Sequence, residues 1–98
     1  MRKITQESVQ AFYNSESFSK QNMTVSVLSN CTTLALHGNV IAYRYNDPER
    51  TLSITTCGWD TTTIKERLNG LDGVKVNTSK GQLCLNGMPW DGELRDIN

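Results

Sequence analysis

The sequence carries no excess charge of either sign: 10 Lys and Arg stand against 10 Asp and Glu in 98 residues. The positive footprint of a protein that grips duplex nucleic acid or an anionic membrane is therefore missing from the chain as a whole, which leaves room only for a local patch. Long apolar runs are missing as well. Arg2 and Lys3 are not followed by one, and nowhere do about 18 apolar residues occur in succession, so neither an ordinary secretion signal nor a membrane span is expected. Histidine is down to one, His37, and the three cysteines, Cys31, Cys57 and Cys84, stand far apart. That spacing predicts reduced thiols of a cytoplasmic protein, each packed in the core. Together with His37 they have the right chemistry for zinc, but zinc sites are built on close-spaced pairs, so no metal is expected. The triplets at Asn22, Asn30 and Asn77 match the glycosylation pattern and carry no meaning without secretion.

What is present suits one α+β domain over residues 1–98. A chain of this length buries somewhat over ~60% of the surface that its unfolded form exposes, enough for a core without staples. A first helix is predicted from about Thr5 to Asn14. Thr5 serves as its N-cap, Ile4 and Val9 are spaced as a hydrophobic staple, and Val9, Phe12 and Tyr13 form an apolar stripe. Ser15 to Gln21 reads as a connector. From Asn22 to Cys57 the period changes to two, with strands around Met23–Val27, Leu34–Leu36, Val40–Tyr45 and Leu52–Ile54. Gly38 supplies the positive φ of a two-residue hairpin turn, and Pro48 presets a type I turn.

A second helix fits Asp60 to Asn69, capped by Asp60, ended by a left-handed Gly70 and apolar at Ile64, Leu68 and Leu71. Trp59 and Ile64 repeat the staple spacing. A hairpin then joins Val74–Asn77 to Gln82–Leu85, Pro89 disfavours a central strand, and Glu93 to Ile97 forms a short edge segment that a second copy could extend. The expected architecture is an antiparallel sheet, a meander of three to four strands plus a C-terminal hairpin, with two short helices packed on one face.

Chemistry has few places to reside. Trp59, Thr61, Thr62 and Thr63 put an indole and three hydroxyls at a helix start, where free N–H groups attract phosphate, but Asp60 occupies the anion's place and no glycine run lets backbone approach closely. Lys65 and Arg67 on the second helix, with Lys75 and Lys80 on the hairpin, form a basic face that Glu66 and Asp72 interrupt. Trp90 fits both a core lid and an interface anchor, whereas its staple position assigns Trp59 to the core. His37 sits in a turn without a positioned nucleophile, no pair of acids is tuned apart, and no phosphate loop or nucleophile elbow occurs, so no catalytic residue and no cofactor are expected.

The stretch Gly58-Trp59, Thr61-Thr62-Thr63, Lys65-Glu66-Arg67-Leu68-Asn69, Gly73-Val74, Lys80-Gly81, Leu85-Asn86-Gly87 and Trp90-Asp91-Gly92 resembles the C-terminal part of short bacteriophage proteins. The hairpin Leu34 to Asn39 is similar as well. The resemblance implies a phage or prophage origin and brings no activity with it. Small phage proteins of this kind resemble host-takeover or anti-defence factors, which need one good patch on a rigid fold. The expected role is stoichiometric binding of a host protein in the host cytoplasm, by a monomer or a homodimer, with Trp90 and the helix from Thr61 to Asn69 as contact surface. The alternative is a nucleic-acid or nucleotide binder using Trp59 to Thr63 and the lysines near them.

Overall fold

The computed structural model describes residues 1–97, which form two helices and nine strands. Helix α1 spans Lys3–Tyr13, and strands β1 to β5 follow as Phe18–Lys20, Met23–Val27, Cys31–Leu36, Asn39–Tyr45 and Leu52–Ile54. Helix α2 is Thr62–Leu68. Strands β6 to β9 are Val76–Ser79, Gln82–Leu85, Met88–Pro89 and Arg95–Asp96. The fold is α+β and mostly sheet: an antiparallel six-stranded sheet in the order β1-β2-β3-β4-β5-β9 and a three-stranded one, β6-β7-β8.

Alternation along each strand sets the two faces of the large sheet. Phe18, Val25, Leu34, Ala42 and Ile54 are successive cross-strand partners, so one apolar row crosses β1 to β5. On that face α1 lays Ile4, Ala11 and Phe12, while Ile64, Leu68, Val76, Leu85 and Trp90 from α2 and the small sheet complete the same cluster. A register shift between Leu34 and Ala35 puts Ile41 in a bulge, and the consecutive residues Ile41 and Ala42 are both buried. The other face carries Thr24, Ser26, Tyr43 and Tyr45, half-buried. With principal extents of 39 × 31 × 20 Å, the thinnest direction holds one sheet and one covering layer at about 10 Å spacing.

Several local expectations give way to tertiary contacts. Helix α1 begins at Lys3, and its N-cap is Arg2 without a side-chain bond. Thr5 is not a cap and Ile4 not a staple residue, because both are buried inside the helix. The Thr5 hydroxyl instead donates to Glu66 Oε1 at 2.6 Å and accepts from Arg67 Nη1 at 3.1 Å. Charge-assisted bonds of this kind outweigh a neutral cap. The connector contains β1, whose ladder with β2 supplies what its weak propensity does not. Thr61, not Asp60, caps α2, accepting the Ile64 N–H at 3.1 Å.

Gly70 is not left-handed; positive φ falls on Gly73. Glycine serves another purpose at position 70. A Cβ there would stand 2.7 Å from Thr5 Cγ2 and 3.1 Å from Val9 Cγ2, so its absence lets the segment after α2 lie against α1. Glu93 to Ile97 does supply an edge strand, β9, which pairs with β5.

Candidate binding site

Trp59 is not the core residue that its staple spacing suggests, and Trp90, open between core lid and interface anchor, proves to be core. Trp90 is 2% exposed, packs in the core cluster and donates from its indole nitrogen to the Glu93 carbonyl at 3.0 Å. It is unavailable as a contact residue. Trp59 is 57% exposed. Burial also removes Arg67 from the basic face: at 2% exposure it bonds Thr5 and Glu66, and its Nη2 donates to Asn22 Oδ1 at 3.4 Å.

Trp59 is held out by a turn fastened on several sides. Its N–H donates to the Thr56 carbonyl at 3.0 Å, and the Thr56 N–H donates to Gly92 O at 2.9 Å. Thr55 Oγ1 donates to the same Gly92 carbonyl at 2.9 Å. Cys57, in the left-handed region at φ 56°, is tied twice: its N–H donates to Thr55 Oγ1 at 3.1 Å, and its thiol donates to Val40 O at 2.9 Å. Partial desolvation against its turn pushes the Cys57 thiol up from its ordinary value, which keeps it protonated at neutral pH although the residue as a whole is exposed. Cys57 is exposed and is not the core residue expected, unlike Cys31 and Cys84, which are buried.

Beside the Trp59 indole lies a cleft of ≈ 200 Å³. Leu36 at the end of β3 and Ile64 of α2 form its floor, both buried. His37, Asn39, Thr61 and Thr63 form the rim. The β3–β4 hairpin reaches α2 through a two-residue turn, His37 at φ 51° and Gly38 at φ 79°, the mirror-image geometry that matches strand twist. The rim is thus polar and holds no Asp, Glu, Lys or Arg, and the floor is apolar. Of the residues singled out in the sequence, Trp59, Thr61 and Thr63 meet here; Thr62 is exposed on α2 outside the lining. Leu36, His37 and Asn39 join them only through tertiary structure. The signal that could have pointed to them is the tight turn, which brings β4 straight back beside β3.

The basic face is smaller than the residue spacing suggests, since Arg67 is buried and Lys65 is paired. Lys65 Nζ stands 3.2 Å from Asp60 Oδ1 and donates to Thr78 Oγ1 at 2.8 Å. Lys80 is exposed, but in the turn of the β6–β7 hairpin. Helix α2 has only seven residues, and Thr61 takes the N–H of its third, Ile64, which weakens an anion site there.

A second, larger groove of ≈ 510 Å³ runs between Tyr13, Arg44, Arg50, Glu49 and Asp72. Arg44 is engaged: its Nη1 donates to the Tyr13 carbonyl at 3.0 Å and its guanidinium lies 5.5 Å from the Tyr13 ring centroid. Two acids offset the two arginines, and the groove favours no ligand charge. Among the described residues no group of His, Cys, Asp and Glu is arranged to hold a metal, and no helix is long and apolar enough to cross a membrane.

No curated protein and no solved structure matches the chain. Residues 1–96 match the family model described as Kyanoviridae Gp96 protein, and the chain belongs to that family of phage proteins, in agreement with the resemblance read from Gly58 to Gly92.

Proposed function

We propose that this chain is a phage accessory protein that acts by stoichiometric binding to a host protein, as a host-takeover or anti-defence factor in the host cytoplasm. The observation that carries this reading is Trp59: a large rigid side chain, 57% exposed, fastened by its turn beside an apolar cleft. Tryptophan in such a setting loses little entropy on binding and buries much area, which makes it a frequent anchor of protein interfaces. Thr61 to Thr63 and the β3–β4 turn surround it, and the contact surface moves from Trp90 to this end of the molecule.

Nucleic-acid or nucleotide binding is the less favoured reading, because it draws on basic groups that are otherwise occupied. Lys65 is paired with Asp60 and Arg67 is buried, which leaves Lys80 and Lys75 exposed on the hairpin.

The experiment is affinity purification of tagged protein from infected cells, with wild type and Trp59→Ala side by side, followed by reconstitution of the complex on a size-exclusion column. A host protein that co-elutes at fixed stoichiometry with wild type and is lost with Trp59→Ala supports the reading. Retention of the same proteins by both forms removes Trp59 from it, and a wild type that retains none removes the reading. The elution volume of the free protein decides between monomer and homodimer.

A further inference from the structure

We infer that the cleft beside Trp59 receives one uncharged aromatic side chain of the partner protein. The inference rests on the reading above that the partner is a protein. Size is the first argument. Pockets that bury a small-molecule ligand or cofactor measure roughly 300–1,000 Å³, and this cleft has ≈ 200 Å³, room for one ring and not for a base, ribose and phosphate together.

Charge is the second. No Asp, Glu, Lys or Arg lines the cleft, and Asp60 next to it is already paired with Lys65. An ammonium group would give up water there without gaining a counter-charge, and the one titratable neighbour that a phosphate or carboxylate would find is the exposed imidazole of His37. An uncharged ring sheds its water favourably and covers the floor of Leu36 and Ile64. The third argument is the wall. The Trp59 indole offers an aromatic partner to a ring, while the Asn39 amide and the Thr63 hydroxyl on the rim offer neutral hydrogen bonds to the backbone on either side of the inserted residue.

The test is a titration of the whole ¹⁵N-labelled protein, followed by NMR, with N-acetyl-phenylalaninamide, N-acetyl-leucinamide, N-acetyl-lysinamide and adenosine. The phenylalanine amide is expected to shift the Trp59 indole N–H and the backbone of His37, Asn39, Thr61 and Thr63. It should bind about 2- to 10-fold more tightly than the leucine amide, the added effect of an aromatic contact. The lysine amide is expected to leave those signals in place. Thr63→Arg, a half-buried rim position where a long side chain fills the cleft without entering the core, is expected to abolish the response.

Absence of shifts at saturating phenylalanine amide, shifts confined to another surface, or tighter binding of adenosine would each overturn the inference. Those failures leave protein binding standing if the host complex still depends on Trp59. A normal phenylalanine-amide titration with no host complex removes the protein-binding reading and leaves only the selectivity of the cleft.

Discussion

The side-chain amide of Asn69 and the backbone of Val76 exchange two hydrogen bonds. Asn69 Nδ2 donates to the Val76 carbonyl at 2.9 Å, and the Val76 N–H donates to Asn69 Oδ1 at 2.6 Å. Val76 turns these groups away from its neighbour β7, so the carboxamide takes the place of an adjoining strand on the open edge of the small sheet. An edge left bare exposes unpaired groups to another chain. Asn69→Ala is expected to cost about 1–3 kcal/mol, the penalty for stranding partly buried polar groups, and to promote self-association. Urea denaturation and size-exclusion chromatography check the two effects, and Asn69→Asp, which keeps the acceptor, is expected to cost less.

Close approach at Gly70 makes a second prediction. Gly70→Ala puts a methyl 2.7 Å from Thr5 Cγ2, and the resulting overpacking is expected to cost about 1–3 kcal/mol. Adding Thr5→Ser removes that methyl and keeps the hydroxyl that Glu66 and Arg67 use. The double variant should recover part of the loss in a thermal melt, with Val9 Cγ2 accounting for the rest.

Glu66 predicts the acid limb of stability. Burial pushes its carboxyl up, but bonds from the Thr5 hydroxyl, the Arg67 guanidinium and the Arg2 N–H, with the Arg67 charge, bring it below the ordinary value. A carboxyl depressed in the folded state stabilises above its unfolded value, near ~4.3, and that contribution is lost as pH falls through the folded value. Glu66→Gln is therefore expected to flatten the loss of stability below about pH 5. It should also cost about 1–3 kcal/mol at neutral pH, the penalty for a buried group that loses a partner, because Arg67 stays buried without its counter-charge while the partly exposed Gln keeps an acceptor oxygen. Denaturation curves across pH measure both. Asp47, lowered by bonds from the Thr51 hydroxyl and N–H, keeps some acid dependence in the variant.

The tryptophans separate folding from binding. Trp90→Ala is expected to cost about 3–5 kcal/mol, the range for emptying a core site of this size, and to broaden or abolish the thermal transition. Trp59→Ala is expected to stay within about 0.5 kcal/mol of wild type, as for an exposed position, while losing the host complex. Circular dichroism melts read the first comparison and complex formation the second.

Thiol chemistry distinguishes the cysteines. In the native protein one equivalent, Cys57, is expected to react with a disulfide reagent, more slowly at neutral pH than free cysteine because its pKa is raised. Cys31 and Cys84 should react on unfolding. Reaction of three equivalents without denaturant would contradict their burial.

The strand Met23–Val27, the Leu34–Leu36 part of β3, a tight turn containing Gly38 and the antiparallel order are legible in the residues, because period-two alternation and turn chemistry act over a few positions, whereas the start of β3 at Cys31 and the place of His37 as the first of the two turn residues are not. The same holds for the existence of both helices. β1 was not legible: Phe18–Lys20 is a strand only because β2 is beside it. Half of the cleft was not legible either, since Leu36 and Asn39 meet Trp59 from the far side of the fold.

What the sequence by itself determined is the class of fold, the core periodicity and the shortage of catalytic groups. Tertiary structure alone decided what Thr5, Gly70, Arg67 and the tryptophans do. Their neighbours in the chain suggest a cap at Thr5 and a left-handed stop at Gly70, but residues more than sixty positions apart set their roles. Trp59 and Trp90 are each followed by Asp and flanked by turns, and the one local difference, the staple spacing of Trp59 with Ile64, points the wrong way. Which indole meets solvent depends on the site where the small sheet closes over the core, a burial term larger than any local preference.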